Sequence, residues 1–99
     1  MGLHSIIFEW DVEKNLSNIK KHGISFEEAR TAFEDPNILY KTDPDHSEQE
    51  DRFIIFGFSE EARVLAVCHC YKRSDTVIRI ISARKATKNE NISYWRGIL

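Results

Sequence analysis

The sequence predicts a single α+β domain, a mostly antiparallel sheet of four to five strands with two helices before it and one after. Three observations lead there. At 99 residues the chain has room for one hydrophobic core, and two smaller pieces would each bury too little surface. Its 41% apolar and 11% aromatic content marks a globular chain, since a disordered one lacks the apolar surface that offsets ordering entropy. Helical periodicity occurs near both ends, and short β-prone runs separated by turn residues fill the middle. No repeat, low-complexity segment or linker interrupts residues 1–99, which read as one domain.

The elements follow in order. Ile6-Ile7-Phe8-Glu9-Trp10 is β-prone and short enough for a first strand. Asp11 caps a helix whose Val12, Leu16 and Ile19 fall at i, i+4 and i+7, the expected core face. Lys20-Lys21-His22 place cations on its last carbonyls, and Gly23 tolerates the left-handed conformation that stops it. Ser25 and Glu28 form a capping box for a second helix, with Phe26, Ala29 and Phe33 inward and Asp35-Pro36 ending it. Asn37 to Lys41 is a weak strand candidate, and the acidic stretch from Thr42 to Asp51 reads as a loop or hairpin connection. Arg52–Phe58, Arg63–Tyr71 and Thr76–Ala83 are the best strands; their short connections predict an antiparallel meander. Thr87 and Glu90 make a further capping box for a last helix that carries Ile92 and Trp95 and stops at Gly97.

Charge is unevenly spread. Residues 1–62 hold 6 Lys/Arg against 14 Asp/Glu, a balance of −8, and residues 63–99 hold 8 against 2, a balance of +6. Such segregation suits a polyanion-binding face, because binding follows the local field rather than the net charge of −2. Mutual neutralisation of the two halves in the fold is the plainer alternative. No apolar run approaches the roughly 18–20 residues of a membrane span. Met1-Gly2 lacks the Ser or Thr that myristoylation wants at position 6, where Ile6 stands, and no signal peptide is visible. The chain is expected to be cytoplasmic, with Cys68 and Cys70 as reduced thiols.

Several side chains could carry chemistry. Arg79 shares a strand face with Val77 and Ile81, so its charge either meets a carboxylate or faces a cleft. Arg84 and Lys85 follow at the strand end, a usual place for a phosphate contact. His69 lies on the middle strand with Leu65 and Val67, either as a satisfied core histidine or, with Arg52, Lys85 and Lys88, as part of an RNA-binding patch. The acidic loop offers His46 and Glu50 for acid–base work, but no ligand spacing there suits a metal, and none is expected. G-x-S-x-G, P-loop and G-x-G-x-x-G motifs are absent, which removes nucleophilic-serine, NTP-hydrolysing and dinucleotide chemistry from consideration. Metal-free RNA cleavage needs a base for the 2′-hydroxyl, cations for the charge on phosphorus and an acid for the leaving 5′-oxygen; His and Arg are suited to these tasks.

In collinear order, the segments resemble the BrnT family, toxins of type II toxin–antitoxin pairs with a RelE-like fold. The resemblance begins at Phe8-Glu9-Trp10-Asp11, then Lys14, Asn18, Lys21-His22-Gly23 and Ser25-Phe26-Glu27-Glu28-Ala29. It continues through Phe33, Asp35-Pro36, His46-Ser47-Glu48, Glu50, Arg52-Phe53 and Gly57, and closes on the run from Ile78 to Thr87, Glu90 and Tyr94. Val12 stands where relatives often have Pro, and both suit an early helix position. The resemblance implies a ribonuclease that needs no cofactor and blocks translation. It also implies an RNA substrate and a cognate antitoxin with a DNA-binding domain, operator DNA being bound only through that complex. It makes Arg79, Arg84 and Tyr94 the leading phosphate-binding and acid–base candidates, with His46, Glu50 and Arg52 behind them; His22 and Gly23 are assigned mainly to the helix end. A non-catalytic nucleic-acid-binding module and a protein-interaction domain are the alternatives.

Overall fold

The computed structural model describes residues 6–42 and 51–98. The order of elements is β1 (Ile7–Glu9), α1 (Val12–His22), α2 (Phe26–Ala32), β2 (Leu39–Thr42), β3 (Phe53–Phe58), β4 (Val64–Lys72), β5 (Val77–Lys85) and α3 (Lys88–Ile98). The five strands form one sheet in the order β1-β5-β4-β3-β2. From β2 to β5 every pairing is antiparallel, as the short connections predict, while β1 crosses over to lie parallel to β5. The predicted acidic loop, with His46 and Glu50, lies outside the described residues apart from its ends.

The helix signals act as read. Asp11 Oδ1 accepts from the Lys14 amide, and Ser25 Oγ from the Glu28 amide. Gly23 closes α1 at φ 73, its N–H donating to the Ile19 carbonyl. Thr87 and Glu90 exchange both capping-box bonds. One expectation is overturned at the far end, where α3 runs through Gly97 to Ile98. Gly97 remains helical with only Leu39 near the position of an added Cβ.

The main core lies between the sheet and α2. Ile24, Phe26, Ala29 and Phe33 pack on Leu65, Val67, Ile78 and Ile80. The approach is closest at Gly57, where an added Cβ would sit 2.5 Å from the Ala32 carbonyl oxygen. A smaller cluster on the opposite face joins Tyr94 of α3 to Phe56, Val64 and Ala66.

Helix α1 inverts the predicted amphipathic pattern. Val12 and Leu16 are 66% and 58% exposed and Ile19 is also exposed, while Asn15 and Asn18 are buried. The reason lies in what α1 packs against, which is polypeptide backbone. Asn15 Oδ1 accepts from the Phe26 amide at 2.8 Å. Asn18 Nδ2 donates to the carbonyls of Ile24 and Ala83, both at 2.8 Å, and its Oδ1 accepts from the Ala83 amide at 3.2 Å. Buried backbone groups need partners, and an asparagine supplies donor and acceptor together where a leucine would supply neither.

Candidate active site: a cationic cleft on the open face of the sheet

Alternation along β4 gives the sheet two unlike faces. Leu65, Val67 and His69 point toward α2, whereas Val64, Ala66 and Cys68 point the other way. On that second face α3 covers only the part beneath Tyr94. Beyond it lies a cleft of about 400 Å³, floored by Ile54, Ala66, Cys68 and Ser82. Most of these are small side chains, so the floor sits low. Arg52, just before β3, Arg84 of β5 and His22 at the end of α1 stand on its walls.

A second depression of about 170 Å³ continues along α1 past Lys14, Ser17 and Lys21, sharing His22, Ile81 and Ser82 with the first. Lys14 and Lys21 are seven residues apart, so they lie on one side of the helix, roughly 10 Å apart along its axis. A bulge contributes as well. Cys68 pairs with Ser82 and His69 with Ile80, which leaves Ile81 as the extra residue. The Asn18 bonds to Ala83 fasten the end of α1 beside this bulge, between the two cleft residues Ser82 and Arg84.

The predicted site residues fall in different places. Arg52 and Arg84 meet in the cleft. Arg84 also forks onto Glu90, with contacts of 2.8 and 3.0 Å. Those bonds pull the Glu90 carboxyl down to about 2, and Arg84 is a partly neutralised cation. Arg79 occupies the β1–β5 seam, 2.9 Å from Glu9, both side chains about one-third exposed. Lys85 and Lys88 are exposed; Lys85 lies near enough to Glu28 to help hold that carboxylate ionised.

Two expectations about surface chemistry are corrected. His69 is 0% exposed, on the α2 side of the sheet, ringed by Phe33, Phe53 and Tyr71. Its Nδ1 lies 3.1 Å from the Val67 carbonyl and must donate there, which leaves Nε2 to accept from the Tyr71 hydroxyl at 3.4 Å. Burial holds its pKa below the usual histidine value, the bond to Val67 offsetting only part. It is the satisfied core histidine, with no surface for RNA. Tyr94 is 1% exposed and donates its hydroxyl to Asp35. Burial, and then the Asp35 bond and charge, push the phenol well above its ordinary value, so it is poorly placed as an acid or base. Asp35 also accepts from the amides of Asn37 and Phe58. Burial opposes its charge, but those bonds and the one from Tyr94 outweigh it and lower its pKa.

The segregated charge of the sequence is partly consumed in the same way. Glu28 and Arg63 form a half-buried pair at 2.6 Å, and Glu9 with Arg79 forms another link between the acidic and basic halves. Arg63, with Ser59 helping and burial opposing, keeps the Glu28 carboxyl below its usual range. The cleft itself draws on both halves of the chain. Sequence reading passed over Lys14, Lys21 and His22 as site residues because a basic helix end is explained by the macrodipole alone. The available signal was that Lys14 and Lys21 share a side of α1 opposite to Val12 and Ile19. Among the described residues no three His, Cys, Asp or Glu side chains cluster as a metal site would require.

Fold and cleft define a class, a small α+β domain that presents a cationic cleft on the partly covered side of its sheet. Residues 10–90 match the family model described as the ribonuclease toxin BrnT of type II toxin–antitoxin systems, and the chain belongs to that family. No curated protein matches it in sequence. Among solved structures it is similar to the Brucella abortus ribonuclease toxin BrnT, determined at 1.1 Å. The TM-score is 0.61 at 24% identity, over 84% of this chain and 99% of that one, a likeness of fold. No helix among the described residues is long and apolar enough to cross a membrane.

Proposed function

We propose that this chain is an endoribonuclease that binds single-stranded RNA in the cleft between α1 and the open face of the sheet. The observation that carries the reading is the convergence of Arg52, Arg84 and His22 on one concavity, continued by Lys14 and Lys21. Arginine forks suit phosphate oxygens, and a cleft with one sign of charge raises the local concentration of a polyanion. Arg52 and Arg84 hold the scissile phosphate and oppose the charge that builds on it; this is the stabilisation a metal would otherwise supply, and the cleavage is metal-independent. Arg79 is a secondary phosphate contact, available when an RNA strand competes with Glu9. His46 and Glu50 stay acid–base candidates on the family resemblance.

In the cell, cleavage blocks translation in the cytoplasm. A cognate antitoxin with a DNA-binding domain neutralises the toxin, and operator DNA is bound only by the complex. Family membership supports this part of the reading.

The test is cleavage of a long single-stranded RNA in EDTA by wild type, Arg52→Ala and Arg79→Ala. Wild type is expected to cleave, Arg52→Ala to lose about 10²-fold or more in rate, and Arg79→Ala to lose less. Salt-sensitive binding with intact RNA, on naked RNA and on translating ribosomes alike, would instead establish a non-catalytic binding module.

A further inference from the structure

Resting on the ribonuclease reading, we infer that His22 is the group that removes the 2′-hydroxyl proton of the bound RNA. The cations of the cleft can bind phosphate but cannot accept a proton at neutral pH, since arginine stays charged. A proton acceptor is needed, and among the described residues His22 is the one imidazole that reaches the cleft. His69 is closed off in the core on the other side of the sheet. His22 is exposed, and it stands where the two depressions join, so a strand lying along Lys14 and Lys21 toward Arg84 passes it.

Its placement is built rather than incidental. The residue after it takes the left-handed turn that only glycine adopts without strain, with φ 73 at Gly23. Four residues before it, Asn18 is locked to Ala83 on both sides of the peptide, one residue from Arg84. The backbone that carries His22 and the backbone that carries Arg84 are therefore tied to each other. Proton-transfer geometry depends on such fixing.

The 2′-oxygen bonds to phosphorus as its proton passes to the neutral His22 imidazole. The phosphorus–5′-oxygen bond breaks, leaving a 2′,3′-cyclic phosphate, and the departing 5′-oxygen takes a proton from water. The imidazolium then returns its proton to solvent. Among the described residues, the charged and titratable groups that line the two depressions with His22 are Lys14 and Lys21 on its own helix, Arg52 from the start of β3, the Cys68 thiol of β4, and Arg84 of β5 with Glu90 of α3 behind it.

The experiment compares wild type, His22→Gln and Arg52→Ala on a labelled single-stranded RNA across pH 5 to 9, with binding read separately on the 2′-deoxy oligonucleotide of the same sequence. His22→Gln, an exposed change whose folding circular dichroism verifies, is expected to slow cleavage about 10²- to 10⁴-fold. It should also erase the acid limb of the wild-type pH–rate profile, which a general base produces, while binding the deoxy strand within about threefold. Arg52→Ala is expected to keep the limb and weaken binding. A His22→Gln rate within threefold of wild type, a retained limb, or a loss of rate matched by loss of binding each overturns the inference and leaves the ribonuclease reading intact. Failure of wild type to cleave naked RNA and translating ribosomes overturns both.

Discussion

The two faces of the sheet share the same strands and do opposite work with their polar groups. On the α2 face the buried polar side chains among the described residues are matched: His69 with Val67 and Tyr71, Glu28 with Arg63 and Ser59. On the other face Arg52, His22 and Arg84, the last with its Glu90 partner, line a cleft over a floor of small side chains. The difference arises from a single alternation along β4, where large residues fall on one side and Ala66 and Cys68 on the other. A charged or aromatic residue therefore cannot be read as functional from its type. What decides is whether the fold encloses the side chain or leaves it lining a cleft, and that is set by neighbours far along the chain.

Substitutions that remove internal contacts should cost stability in graded amounts. The largest loss is expected for Phe26→Ala, which opens a cavity in the main core and should cost about 3–5 kcal/mol, read by urea unfolding. Asn18→Ala should cost about 2–4 kcal/mol, because it strands buried backbone groups of Ile24 and Ala83. Tyr94→Phe should cost about 1–3 kcal/mol by removing one bond to the Asp35 carboxylate, with cleavage kept within about threefold. A collapse of cleavage in folded Tyr94→Phe would restore Tyr94 to the chemistry and break the comparison. Arg79→Ala should move unfolding by about 0–1 kcal/mol, since the pair with Glu9 is partly exposed and screened.

Acidity gives a further separation. The folded pKa of His69 lies below the ordinary histidine value of 6.5, so between the two the unfolded chain binds the extra proton. Its stability contribution is complete above pH 6.5 and is lost as pH falls toward the folded value. Glu28, Asp35 and Glu90 are also lowered in the fold and add their losses below about pH 4.5. Unfolding free energy measured from pH 8 to 3 should thus decline in two stages. His69→Phe should flatten the first stage only, and an unchanged first stage would show that His69 does not titrate with unfolding.

Much of the fold was legible because its signals are local. Asp11, Gly23, Ser25 and Thr87 act on neighbours within a few residues, and the short connections around Glu60 and Ser74 leave the strands no topology but a meander. The inward face of α1 was not legible. Periodicity assigns Val12, Leu16 and Ile19 to a core, but the partner of α1 is the backbone of β5 and of the α2 entry, which asparagine satisfies better. The same gap hid the site. Arg52 and Arg84 were recognisable as phosphate-binding types, yet their convergence with His22 depends on the bulge at Ile81 and the Asn18 clamp, contacts that span up to 65 positions. Gly57 shows the intermediate case: its presence in the family pattern was visible, and its reason, the close passage of Ala32, appears only in three dimensions.

The central claim is that RNA lies in the open-face cleft. Its most direct test is a titration of ¹⁵N-labelled protein with a single-stranded 2′-deoxy oligonucleotide, followed by amide chemical shifts. Shifts concentrated at His22, Arg52, Cys68, Ser82 and Arg84, continuing to Lys14 and Lys21 and fading with added salt, are the predicted result. Shifts centred on the β1–β5 seam at Glu9 and Arg79, or on α2, with the cleft amides unmoved, would contradict it.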